Sequence, residues 1–92
     1  MTEQEKHQQL FVQLISMFHA SALQQLGRIK NPVTDTFETD LEQAELSIDM
    51  LDMLRSKTAG NSSIEEEKTI SEIVEQLKKN LADEKLKGEA QQ

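Results

Sequence analysis

The amino-acid sequence predicts an all-α protein of three helices, a long N-terminal helix followed by an antiparallel helical hairpin with a peripheral third helix. Three observations carry that expectation. Apolar residues recur at helical spacing in three separate stretches. The second and third stretches open on capping-box sequences, Thr39 with Glu42 and Ser63 with Glu66, which satisfy the first free amides of a helix. Gly27 and Gly60 close the first and second, where a left-handed residue commonly ends a helix.

The first helix is expected from Gln4 to Leu26. At 100° per residue Leu10, Phe11, Leu14, Ile15, Met17, Phe18, Ala22 and Leu26 cover about half its circumference. Val12, Ser16, His19 and Leu23 line one flank. Residues 28–38 then form a long connection in which Pro32 extends Asn31 and Asp35 suits a turn. Ile29, Val33 and Phe37 within it are apolar, so the loop is expected to fold against the helices. In the second helix Leu41, Ala44, Ile48 and Leu51 make one packing seam. Leu46, Met50 and Met53 make another on nearly the opposite side, with Leu54 between the two. The third helix carries Glu65, Glu66 and Glu67 at its positive end. Its stripe of Ile70, Ile73, Val74, Leu77 and Leu81 is only about 100° wide, as suits a helix on an outer surface. The spacing fades from Ala82. The expected organisation is therefore a flexible N-terminus over 1–7, one three-helix domain over 8–82 and a flexible tail over 83–92.

Composition narrows the function classes. A net charge of −7 over 92 residues argues against nucleic acid and against anionic membrane surfaces, both of which require a basic footprint. The charge is uneven: residues 1–30 carry +1, residues 31–60 carry −5 and residues 61–92 carry −3. Cysteine is absent, which suits a reducing cytoplasmic setting and leaves neither disulfides nor thiolate metal sites. Residues 8–27 are free of formal charge, yet eight polar side chains interrupt them, too many for a spanning helix. Leu10 to Phe18 followed by Ala20-Ser21-Ala22 imitates a signal sequence. Glu3 and Glu5 before it, and Gln13 within it, argue the other way.

A spaced set of residues resembles a family of short bacterial proteins known only as a domain of unknown function. It comprises Leu26-Gly27, Asn31-Pro32-Val33-Thr34, Asp40-Leu41-Glu42-Gln43-Ala44, Ile48-Asp49, Leu51, Met53-Leu54, Lys57-Thr58 and Gly60-Asn61, and the likeness runs roughly from Phe11 to Leu77. Asp35 stands where the resemblance expects glycine, Ser62-Ser63-Ile64 replaces a Leu-Thr-Pro sequence, and the aromatic ending of relatives is missing. The resemblance implies a bacterial origin and a helical fold, and it brings no activity.

Candidate chemistry is sparse. Glu38, Glu42, Glu45, Asp49 and Asp52 follow a 4-3-4-3 spacing and form an acidic line along the second helix. Such a line is either a solvated face or a docking stripe for a basic protein partner. The pattern holds no catalytic residue and no cofactor site. Two histidines, His7 and His19, make no zinc site alone, and no Glu-x-x-His pair suggests a di-metal bundle. Ser16, Ser21 and Ser47 lack a His–acid arrangement or a nucleophile elbow. Met17, Met50 and Met53 read either as core fillers or as an adaptable binding surface.

The expected function is that of a non-enzymatic interaction or structural protein, a homo-oligomer and possible small adaptor. Three helices cannot cover all the apolar surface, and Val12, Leu23, Leu46, Met50, Met53 and Leu54 are the expected interface of a dimer. The alternative is a ligand-binding or enzymatic subunit whose site forms only at the oligomer interface.

Overall fold

The computed structural model describes residues 1–90 and contains three helices, α1 (Glu3–Gln25), α2 (Leu41–Thr58) and α3 (Ile64–Ala90). Among the described residues the only β-type pairing is an isolated bridge between Asn31 and Thr36. The fold is all-α.

α1 begins earlier than the apolar spacing indicates. Thr2 caps it with Glu5 in a capping box, so the segment expected to be a flexible N-terminus is helical from Glu3. At its other end Gly27 takes φ +75°, and the amides of Gly27 and Arg28 donate to the carbonyls of Gln24 and Leu23 at 3.0 and 2.8 Å. That pair of bonds is a Schellman closure. A side chain at position 27 is also excluded by space, because its Cβ would meet Thr39 Oγ1 at 2.7 Å.

The 28–38 connection is a closed turn. Asn31 and Thr36 share a backbone bond of 2.8 Å, and Asn31 Oδ1 accepts from the Val33 amide at 2.9 Å. Asp35 takes φ +56° here, the left-handed conformation that accounts for the glycine expected at this position. Ile29, Val33 and Phe37 nevertheless stay exposed, Val33 to 91%, so the apolar loop residues do not pack down as expected. The loop's own hydrogen bonds hold it in place of burial.

α2 starts one residue later than the expected Thr39 cap. Asp40 is the N-cap and accepts from the Gln43 amide at 3.2 Å, while its own amide is tied to the Gln25 carbonyl at 2.8 Å. The expected cap of α3 is present: Ser63 and Glu66 exchange bonds of 2.9 and 3.1 Å. α3 does not stop near Ala82 but runs on to Ala90. Good helix formers fill this stretch, and Glu84 pairs with Lys87 one turn on and with Arg28 across the molecule. Gln91 and Gln92, the end of the expected tail, lie outside the described residues.

The core is small. It holds Ile15, Ala22 and Leu26 from α1 and its end, Ala44, Ile48 and Leu51 from α2, and Ile70, Val74, Leu77 and Leu81 from α3. α2 is the central element, packed on both others, and α3 is peripheral to α1. The Cα atoms span 52 × 27 × 16 Å. A Cα extent of 16 Å is about the depth of two packed helices, so much of each helix stays uncovered.

One polar linkage crosses the core. The Gln25 amide nitrogen faces the Ser21 carbonyl at 3.2 Å, the Gln43 carbonyl at 3.0 Å and Ser47 Oγ at 2.7 Å, the orientation that three acceptors require. Ser47 itself is buried. Replacing Gln25 by Leu removes the side-chain partner of buried Ser47 Oγ and the second donor to the Ser21 and Gln43 carbonyls, and the variant is expected to lose about 1–3 kcal/mol in urea unfolding. Asp35→Gly relieves the left-handed turn residue and is expected to raise stability by about 0.5 kcal/mol in the same assay, whereas Asp35→Val lowers it.

Candidate functional site

On α1 the half-circumference apolar stripe is split by the fold. Ile15, Ala22 and Leu26 turn inward with Phe11 and Phe18 packed beside them, while Leu10, Leu14 and Met17 are left outside. At 100° per residue those three lie roughly 130° from the buried set. On α2 the seam of Ala44, Ile48 and Leu51 is the inward one, and Leu46, Met50 and Met53 lie roughly 150° away from it. These six outward side chains are between 37% and 66% exposed.

Both outward stripes belong to one face. α3 meets α1 beside Val12 and Ile15, which line a crevice with Glu65, Glu66 and Thr69. It meets α2 beside Glu45 and Asp52, through Lys85 and Lys78. Gln25 with Ser47 marks the seam between antiparallel α1 and α2. Beyond that seam, continuing away from α3, come Leu14, Leu10 and Met17 on one helix and Met50, Leu46 and Met53 on the other. The surface that turns away from α3 is therefore apolar across both helices.

The residues expected at a dimer interface do not all share that face. Leu46, Met50 and Met53 are on it, and half-buried Leu54 borders the seam. Val12 and Leu23 lie round on the α3 side of α1, Val12 exposed and Leu23 packed against the core. Leu10, Leu14 and Met17 take their place. The signal for this was in the small residues: Ala22, Ala44 and Ser47 mark where the two helices approach closely, and so which side of each faces inward.

The acidic line is largely engaged within the fold. Glu38 lies before α2 and accepts from the hydroxyls of Thr34 and Thr36 at 2.9 and 3.0 Å and from the Asn31 amide at 3.4 Å. Those bonds, Thr34 foremost, hold its carboxyl below the ordinary range. Asp52 accepts from Lys78 of α3 at 2.9 Å and from Arg55 at 2.6 Å. Lys78, then Arg55, lowers its pKa, and Arg55 reaches on to Glu75 at 3.1 Å. Glu45 pairs with Lys85 at 3.5 Å. Glu42 and Asp49 are the members of the line with neither an ion pair nor the loop hydrogen bonds that hold Glu38, among the described residues, and both stand at the edge of the apolar face.

The chain belongs to the family described as Domain of unknown function (DUF1844). Its family model matches residues 8–83. No curated protein and no solved structure matches the chain. The match takes in most of α1, all of α2, both connections and α3 as far as Asp83, and so includes the apolar face.

A second concavity, a cleft of about 590 Å³, opens where the start of α1 meets the α2–α3 turn, beside His7, Gln8, Phe11, Thr58 and Asn61. Its hydroxyls are turned to local backbone: Thr58 donates to the Leu54 carbonyl at 2.7 Å and Ser62 to the Thr58 carbonyl at 3.2 Å. His7 is exposed and 4.0 Å from Glu3 of its own helix. His19 is half-buried on the α3 side of α1. Among the described residues no group of three or more potential metal ligands comes together, and no helix is long and apolar enough to cross a membrane.

The lowered Asp52 carboxyl sets a pH dependence. Its folded pKa lies below the unfolded value of about 3.9, so its contribution is complete above that value and disappears as pH falls through the folded pKa. Thermal stability is expected to hold from about pH 7 to 5 and to fall below about pH 4. Asp52→Asn should cost less than about 1 kcal/mol at neutral pH, since the pair is partly solvated, and should make the acid fall shallower. Melting curves between pH 3 and 7 test this.

Proposed function

We propose that this protein is a non-enzymatic interaction or structural protein that works as a homo-oligomer, a two-fold dimer in the first instance, in a cytoplasmic setting. The observation that carries this reading is the apolar face of α1 and α2. Six half-exposed Leu and Met residues at roughly 100 Å² apiece leave on the order of 600 Å² open, the upper end of what monomers show. A standard interface takes about 800 Å² from each partner, so this face and its rim match one half of a dimer. Covering it contributes on the order of 15 kcal/mol per chain against association costs of about 4–15 kcal/mol. Three flexible methionines suit such a surface.

Two-fold pairing is favoured because one self-complementary patch closes on itself without leaving an open end. An adaptor role would rest on Glu42 and Asp49, the unpaired remainder of the acidic line, as contacts for a basic protein partner at the rim.

Met17→Glu and Met50→Glu test the reading. Both positions are on the uncovered face and away from the core, so circular dichroism should stay helical while sedimentation equilibrium shows the dimer giving way to monomer. A dimer of unchanged affinity in both variants, or a wild-type monomer at micromolar concentration, contradicts it.

A further inference from the structure

The charges that α2 leaves unpaired are not scattered. Of its formally charged residues, Glu45, Asp52 and Arg55 are in ion pairs, two of them with α3 lysines. Glu42, Asp49 and Lys57 are in none among the described residues. Glu42 lies in the first turn and Lys57 in the last. Between them runs the outward stripe of Leu46, Met50 and Met53, with Met50 at its centre. By helical rise Glu42 stands about 12 Å from Met50 in one direction and Lys57 about 10 Å in the other. By helical angle Lys57 falls within the stripe and Glu42 at its edge.

In its two end charges an apolar stripe with an acid at one end and a base at the other, about equally far from its midpoint, is complementary to itself in one sense only. Asp49, beside the midpoint, lies roughly 65° round from the centre of the stripe, on its solvent-facing rim. From this spacing we infer that two copies pack α2 against α2 in antiparallel sense about a two-fold axis near Met50, with Lys57 of each chain paired to Glu42 of the other. In that arrangement Leu46 meets the other copy's Met53. The positive N-terminal end of each α2 also approaches the negative end of the other, which favours the same sense. A parallel pairing sets Lys57 against Lys57 and Glu42 against Glu42. Like charges across an interface select against a register more strongly than rim pairs add affinity, so the two ends fix orientation while the stripe supplies the driving force. The occupant is a second copy of this chain, because the two ends of the α2 stripe supply the charges that match each other, and the face shared by α1 and α2, of which this stripe is about half, approaches the area one partner gives to a standard interface.

This rests on the dimer reading, and the experiment separates the two. Lys57→Glu alone brings two acids together in the antiparallel dimer and should weaken association about tenfold or more by sedimentation equilibrium, in a salt-dependent way. The double variant Lys57→Glu with Glu42→Lys should recover most of the loss. Single cysteines give a second readout on a background that lacks native cysteine. Lys57→Cys mixed with Glu42→Cys should form a disulfide-linked heterodimer, and Lys57→Cys alone should not cross-link, its two copies being about 22 Å apart. Self-cross-linking of Lys57→Cys, or a Lys57→Glu dimer as tight as wild type, overturns the antiparallel arrangement and leaves the dimer standing. A wild-type monomer overturns both.

Discussion

The close approach of α1 to α2 governs the rest of the molecule. Ala22 and Ala44 are fully buried, and one turn beyond each, Gln25 reaches Ser47 across the seam. Small side chains at this crossing let the backbones come near, and the amide that bridges it satisfies acceptors on both helices. Once those faces are committed inward, the remaining apolar residues of both helices have no choice of side. Leu10, Leu14 and Met17 are carried outward with Leu46, Met50 and Met53, because a helix fixed on one side is fixed all round.

α3 completes the core without relieving that exposure. It lies against α2, closing Ile48 and Leu51 with Ile70, Val74 and Leu77, and it is held along its length by Lys78 and Lys85 on the α2 carboxylates. Its narrow stripe suits one partner. The body that results has a closed side and an open one, and the open side carries Leu10, Leu14 and Leu46 with three flexible methionines, Met17, Met50 and Met53.

Much of the fold was legible in the sequence. Gly27 marked a Schellman closure, Ser63 and Glu66 a capping box, and the odd Asp35 a turn position that takes positive φ. What was not legible had physical reasons. Thr39 and Asp40 both qualify as caps, and the Gln25 carbonyl decides between them by anchoring the Asp40 amide. The continuation of α3 past Ala82 rests on helix propensity and on the Glu84–Lys87 pair, which apolar spacing does not report, and Arg28 reaches Glu84 from a distant part of the chain. Apolar spacing alone does not say which of two α2 seams faces inward, nor how the broad stripe of α1 divides. The acidic line looked uniform in one dimension, yet the fold uses Glu38 to hold a loop and Asp52 to hold α3.

The central claim is that a second copy covers the open face. Methionine methyl groups report on it directly, because Met17, Met50 and Met53 are on that face and Met1 is not. With methyl-labelled methionine and a soluble paramagnetic agent, the account predicts that the Met17, Met50 and Met53 signals are shielded at high protein concentration and become accessible on dilution, while Met1 is accessible throughout. If all four methyl signals respond equally to the agent at every concentration, the face is open to solvent and the account is wrong.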